Sequence, residues 1–457
     1  MSMMKDDPAL RSEGDVNLGT QREAWNEGLQ DATRQTLGED ETYFLRQSLS
    51  TPCLNVLEGA EGIYITDSTG KRYMDFHGNN VHQVGYGHPA VVQAVVNQMQ
   101  TLPFCPRRYT NQPAIDLARR LSELAPDPLG KVLFAPGGAN AMSMALKLAR
   151  LVTGRHKTIS MWDSFHGANL DTISIGGEAV FRKDAGPLLP GTEHAPPPDA
   201  HHCVFQCEGT CNLSCARYVE YILEKEGDVA AVVAETIRST PFIPPADYWK
   251  SVKAACEKHG ALLILDEIPH GLGRTGKLFT FEHYGIVPDM VVLGKGLGGG
   301  LMPLAALMAD YRLDLGGDKA LGHYTHEKSP LGAAAGLATL HVIEKEGLLE
   351  HANHVGTQAL KRMESWVGRI PVVGNVRGLG LFLGVELIKP GTQNERAREA
   401  AERVMYACME QGLSFKITMG NILTLSPPLI ITEAQMNEAL DIVESALLQV
   451  SKTEEKG

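Results

Sequence analysis

The chain has 457 residues, 43% of them hydrophobic and 21% charged, with a formal net charge of −12. That composition excludes a disordered, collagenous or coiled-coil chain, and the acidic balance gives no general drive towards nucleic acid or anionic membrane. No apolar run approaches the ~20 residues that span a bilayer. The opening MSMMKDDPALRSEGD lacks the apolar core of a signal peptide. The expected location is therefore cytoplasmic, with the eight cysteines as reduced thiols.

Residues 1 to about 50 are polar and predict an arm with a helix or two. From Gly59, the stretch GAEGIYITDSTGKRYMDF alternates and turns like a small β-meander. After His88-Pro89, AVVQAVVNQMQTL has the apolar spacing of a helix. Short apolar runs then alternate with helical stretches: KVLFA, KTISM, AAVVAE, ALLILDE and MVVLGKG. Buried strands joined by helices predict an α/β fold, with a large mostly parallel sheet covered on both faces. From about Gly347 the pattern becomes α+β, and SKTEEKG reads as a frayed tail. The expected division is 1–85, an arm and part of a small domain; 86–335, the large domain; and 336–457, the rest of the small domain.

Chemistry concentrates in ALLILDEIPHGLGRTG and PDMVVLGKGLGGG. Asp266 ends one apolar run and Lys295 follows another, enclosed by Gly294 and Gly296. Ligands of open α/β sheets sit at the carboxyl ends of strands. A desolvated lysine loses its proton readily and can form a Schiff base with an aldehyde. A carboxylate beside a pyridine nitrogen keeps it protonated. Pyridoxal phosphate imposes both requirements on its protein. The plainer alternative, a surface lysine in a glycine loop and a helix-capping aspartate, stays open on spacing alone.

The segment DEIPHGLGRTGKLFTFEHYGIVPDMVVLGKGLGGGLMPLAAL resembles the lysine-site block of class III aminotransferases. Further similar segments are YMDFHGNNVHQVGYGHPAVV, ALKLAR, DSFHGAN, AAVVAE, SPLGAAAGLATL and VRGLGLFLGVEL, from about Gly59 to Pro428. The resemblance implies fold type I and pyridoxal 5'-phosphate as cofactor. Lys295 would carry the cofactor and Asp266 would pair with its pyridine nitrogen. Phe165 would stack on the ring, with His166-Gly167 shaping that turn. Glu235 opens a further cofactor-side block. Backbone N–H groups of Gly138 and Ala139, at a helix N-terminus, would hold the phosphate. Thr325 would reach the phosphate of a partner subunit, making a homodimer with shared active sites.

Departures from the family pattern bear on the substrate. The arginine that usually binds an α-carboxylate is replaced in Thr424-Leu425-Ser426-Pro427-Pro428, and Thr cannot make the bidentate charged pair. Pro269 stands for a glutamine, Arg238 for a neutral amide, and Asn140 for a carboxylate. The trend favours a small anionic amine with its charge at a new place, such as a phosphonate or phosphate. Arg238 is the first candidate to bind that anion and Arg108 the second; Arg107 and Lys416 are weaker. The plainer role for Arg238 is a salt bridge to Glu235 or Asp266, and for Arg108 an interface ion pair. The expected activity is a lyase that eliminates water from a hydroxylated aminoethylphosphonate, with His82 a possible helper of Lys295. An ω-transaminase, a phospho-lyase and a non-catalytic cofactor-binding protein are the alternatives.

Cys203, Cys207, Cys211 and Cys215 recur every four residues, which is not a standard zinc spacing, and no metal is expected. GLGRTG lacks dinucleotide-loop spacing.

Overall fold

The computed structural model describes residues 12, 14, 19–47, 49, 53–207, 211–392 and 394–454. A seven-stranded sheet runs in the order Lys131–Ala135, Ala305–Ala309, Met290–Leu293, Leu262–Asp266, Val229–Glu235, Lys157–Met161, Thr192–Ala195. All neighbours are parallel except Ala305–Ala309, which is antiparallel on both sides. The apolar runs explain the burial. Ala231, Val233, Ile264, Met290 and Val292 pack on one face with the helix Gly138–Thr153. Val232, Ala234, Leu263, Leu265, Val291 and Leu293 point the other way, into the core shared with Trp249 and Val252 of the helix Tyr248–His259. Successive strand residues face opposite sides, so a run apolar at every position is what a sheet covered twice requires.

The predicted meander forms as Leu57–Glu61, Tyr64–Asp67 and Arg72–Asp75. Its turn is fixed by the Asp67 carboxylate, which accepts from Thr69 N and Oγ1, Lys71 N and the Tyr73 hydroxyl. Leu413–Ser414 pairs in parallel with Arg72–Asp75, so early and late segments share one sheet. A second sheet, all antiparallel, runs Val373–Leu379, Phe382–Leu387, Ile422–Leu425, Lys416–Thr418. The predicted helix after His88 spans Pro89–Thr101, with His88 Nδ1 accepting from Ala90 N.

The tail is shorter than its composition predicts. The last helix runs Glu433–Glu454 because Val450 and Ser451 are buried and Glu454 pairs with Arg403. Residues 455–457 of that expected tail lie outside the described residues. Among the described residues no helix is long and apolar enough to cross a membrane.

Candidate active site

A cavity of about 440 Å³ opens at the carboxyl ends of the central strands. Lys295, Asp266, Gly138, Ala139, Phe165 and His166 all line it, as the sequence predicts for a shared site. Lys295 follows the strand Met290–Leu293 and has φ 45°, left-handed and unfavourable for a residue with a side chain. A Cβ on Gly296 would sit 1.9 Å from the Gln83 side-chain amide, so a larger residue there would have to displace that side chain.

Asp266, 2% exposed, ends its strand and accepts on both oxygens. His166 Nδ1 lies 2.9 Å from Oδ2, and Ile268 N donates to Oδ1 at 3.1 Å. The other imidazole nitrogen of His166 is 3.3 Å from Ser160 Oγ. Nδ1 faces the carboxylate and Nε2 faces Ser160 Oγ, so both ring nitrogens are engaged.

The opposite end of the cavity is the start of the helix Gly138–Thr153. Its N-cap, Gly137, offers no side-chain cap, and its first turn carries no acid. The first N–H groups therefore point at the cavity unpaired by side chains, as an anion requires. A Cβ on Gly138 would meet Ile268 Cδ1 at 2.5 Å. A lysine, a held carboxylate and an uncapped helix start in one cavity fit the aldehyde, ring nitrogen and phosphate of pyridoxal phosphate.

Phe165 is half-buried, 4.4 Å from the Phe181 ring centroid, and its N–H donates to Glu235 Oε1 at 3.2 Å. Glu235 pairs in register with Asp266 on the adjacent strand but does not line the cavity. It also accepts from Ser239 N and Oγ, so it supports the backbone behind Phe165.

The predicted anion-binding cations fare differently. Arg238 is buried, absent from the cavity wall, and engaged by Glu178 at 2.7 Å and Glu235 at 3.4 Å. Two carboxylates leave its surroundings without net positive charge. Arg108 is exposed, and Arg107 pairs with Glu327 at 2.9 Å. Thr325 is exposed and does not line this chain's own cavity.

Lys416, 8% exposed, lies directly across from Thr424 in the antiparallel pair. Opposed residues share one face of a sheet. Its side chain therefore leaves the sheet on the face where the family resemblance places an arginine, and neither it nor Thr424 lines the cavity wall. Thr424 Oγ1 is paired with Thr418 Oγ1 at 2.8 Å.

His82 does not serve as a helper of Lys295. It is fully buried, its Nε2 is 3.1 Å from the Asp75 carbonyl, and it is absent from the cavity wall. Burial pushes its imidazole down to about 4.

GLGRTG is a packing loop rather than a phosphate cradle. Buried Arg274 donates to the Pro427 carbonyl and its own carbonyl accepts from Leu381 N. The cysteines of the described residues are free, and among those residues no three metal-binding side chains converge.

One group of site residues escapes sequence reasoning: the wall Gly300–Leu304, which has no catalytic residue type.

A family model described as aminotransferase class-III matches residues 46–447. The (R)-1-hydroxy-2-aminoethylphosphonate ammonia-lyase of Vibrio splendidus (strain 12B01) is 47% identical, over 97% of this chain and 96% of that protein. The leucine/methionine racemase of Thermococcus litoralis is 34% identical, over 86% and 90%. Among solved structures, an amine transaminase from an uncultivated Pseudomonas species in its PLP-bound form superposes with a TM-score of 0.82. It is 28% identical over 90% of this chain and 99% of its own. The chain accordingly belongs to the class III aminotransferases, fold type I enzymes whose cofactor is pyridoxal phosphate.

Proposed function

We propose that the protein is an ammonia-lyase of phosphonate catabolism. It eliminates water from (R)-1-hydroxy-2-aminoethylphosphonate, and phosphonoacetaldehyde and ammonia are the final products. The observation that carries this reading is Thr424 in the place of an arginine, with Lys416 across from it. That face suits an anion other than an α-carboxylate. The 47% identity to a protein named for this reaction supports it.

Bound pyridoxal phosphate supplies an aldehyde for the substrate amine and a ring that accepts electrons. With the cofactor bound, the Lys295 amine would be the group that takes the proton from the amine-bearing carbon. Asp266, held by His166 and Ile268 N, keeps a proton on the ring nitrogen. The N–H groups of Gly138 and Ala139 hold the phosphate. Thr325 adds a hydroxyl to the phosphate site of a partner in a homodimer. Lys416 holds the phosphonate by charge-assisted hydrogen bonds. Arg108 is exposed, and Arg238 takes the secondary role of positioning Glu178 and Glu235.

A second reading, an ω-transaminase, is favoured by a 31% identical relative named taurine–pyruvate aminotransferase. Taurine is also an amine with a non-carboxylate anion. The test is ammonia release from racemic 1-hydroxy-2-aminoethylphosphonate without a keto acid. Catalytic release is the expected result. Turnover only with pyruvate would select the transaminase, and inorganic phosphate a phospho-lyase. Lys416→Met should raise KM at least tenfold, with Lys416→Arg restoring most of the affinity.

A further inference from the structure

The turn that carries Phe165 into the cavity wall is gripped by the segment that follows it. The turn leaves the strand Lys157–Met161 through Trp162, Asp163 and Ser164. Asp163 has a left-handed φ of 61°, which aspartate tolerates better than most side chains. Residues 177–182 fold back over this turn. Gly177 N and Glu178 N both donate to the Ser164 carbonyl, at 2.8 and 3.2 Å. The approach leaves no room for a side chain at 177, where a Cβ would stand 2.2 Å from the Met161 carbonyl oxygen and 2.6 Å from Asp163 N. The short helix Ala179–Arg182 then sets Phe181 on Phe165, with ring centroids 4.4 Å apart and planes inclined by 34°. Arg182 lies over the Trp162 ring at 5.2 Å, and Trp162 stacks on His194 at 4.4 Å. Phe165 lines the cavity and Phe181 does not, so Phe181 supports the Phe165 ring from outside the cavity.

The same segment is tied to Arg238. One terminal nitrogen of Arg238 reaches Glu178 Oε1 at 2.7 Å and the other reaches Glu235 Oε1 at 3.4 Å. Glu235 Oε1 also accepts from Phe165 N at 3.2 Å. A single buried guanidinium thus joins the carboxylate that holds the Phe165 backbone to the segment that supports its ring. Without the cation between them the two carboxylates would repel. Ser12 Oγ, at 2.9 Å from Glu178 Oε2, anchors the same carboxylate from the N-terminal side.

We propose that Phe181 is a positioning residue for the cofactor. Through its contact it fixes the tilt of the Phe165 ring, and Phe165 in turn meets the pyridine ring. Phe165 is only half-buried, so its ring has room to tilt if nothing stands behind it. Aromatic pairs hold each other in offset or tilted arrangements, and the Phe165–Phe181 pair has that geometry. Arg238 and Glu178 anchor the segment that carries Phe181. The role rests on Phe165 facing the cofactor and goes beyond the reaction proposed above, because a lyase and a transaminase both need the pyridine ring held in place.

Equilibrium dialysis of the holoenzyme gives the pyridoxal phosphate dissociation constant, and visible circular dichroism reports the tilt of the bound ring. Phe181→Leu and Phe181→Met should each weaken cofactor binding about fivefold, the scale of one aromatic pair, and lower the visible dichroism. Phe181→Tyr keeps a ring and should bind within about twofold of wild type. In a Phe165→Leu background, Phe181→Leu should add less than about twofold, because Phe181 acts through that ring. A purely structural Phe181 would instead weaken binding by the same factor in both backgrounds, and that result would overturn the role. Wild-type affinity and dichroism in Phe181→Leu and Phe181→Met would overturn it too. Phe165→Leu with wild-type affinity and dichroism would show that Phe165 does not meet the cofactor, and the role of Phe181 would fall with it. None of these readouts uses turnover, so failure of the lyase reading, seen as absent ammonia release, is recognised separately.

Discussion

At Arg238 a guanidinium is buried between Glu178 and Glu235, and Glu178 also accepts from Ser12 Oγ at 2.9 Å. Removing one member of a buried charge group leaves the others uncompensated, which typically costs about 3–5 kcal/mol. Arg238→Met should therefore lower the urea midpoint sharply, and the Glu178→Gln/Arg238→Met double variant should recover part of the loss. KM for the phosphonate should change less in that double variant than in Lys416→Met. A stable Arg238→Met protein with a KM raised as far as in Lys416→Met would make Arg238 the anion receptor after all. The residue type alone could not decide this. Arg238 and Lys416 are both cations in the sequence, and they differ in facing two carboxylates or the face vacated by an arginine.

Among elements, the helix Leu348–Glu364 meets the hairpin between Val373–Leu379 and Phe382–Leu387 backbone to side. A Cβ on Gly356 would stand 2.0 Å from the Gly380 carbonyl oxygen. Gly380 in turn presses on Thr275 and Gly276 of the GLGRTG loop, whose Arg274 carbonyl accepts from Leu381 N. In an exposed helix, Gly to Ala stabilises by about 1 kcal/mol. Here overpacking against a rigid carbonyl should reverse the sign, at about 1–3 kcal/mol. Gly356→Ala should melt several degrees lower, and a rise in Tm would show that the contact yields easily. The apolar runs made the central strands legible, because every position of a doubly covered strand is buried. The GLGRTG glycines were visible too, but their purpose lies in backbones about 80 and 100 residues away. The pairing of Leu413–Ser414 with Arg72–Asp75 joins two residues to a strand more than 300 residues earlier and leaves no local pattern. Lys295 and Asp266 stood out because glycines and strand ends frame them. His77 and His82 share one short segment, and the left-handed turn between them is not legible from the residue types alone.

For the whole molecule, the buried histidines set how stability follows pH. His77, His82 and His270 are pushed down to about 3, about 4 and about 3, burial being the largest cause in each. In the unfolded chain each titrates near the ordinary value of about 6.5. As pH falls below that value the unfolded chain binds these protons first, so stability is lost from about pH 6.5 downwards. Glu267 runs the other way. Burial pushes its carboxyl up to about 7 despite bonds from Thr236 Oγ1, Thr280 N and Phe281 N, so the folded state takes that proton first. These three histidines against Glu267 give a net uptake of about two protons on unfolding near pH 5, or a slope of about 2–3 kcal/mol per pH unit, and His194, His201 and His283, which burial also pushes down, add to it. Carboxylates held low in the fold, such as Glu386 and Asp67, add to acid lability only nearer their own unfolded values, about pH 4. Urea unfolding between pH 7.5 and 5 therefore isolates the histidines and Glu267. His82→Asn should flatten the slope by about one proton whatever its effect on absolute stability, because Asn cannot titrate. A slope unchanged in that variant would mean that His82 is already charged in the fold. The Asp75 turn would then hold an imidazolium in place of a neutral ring.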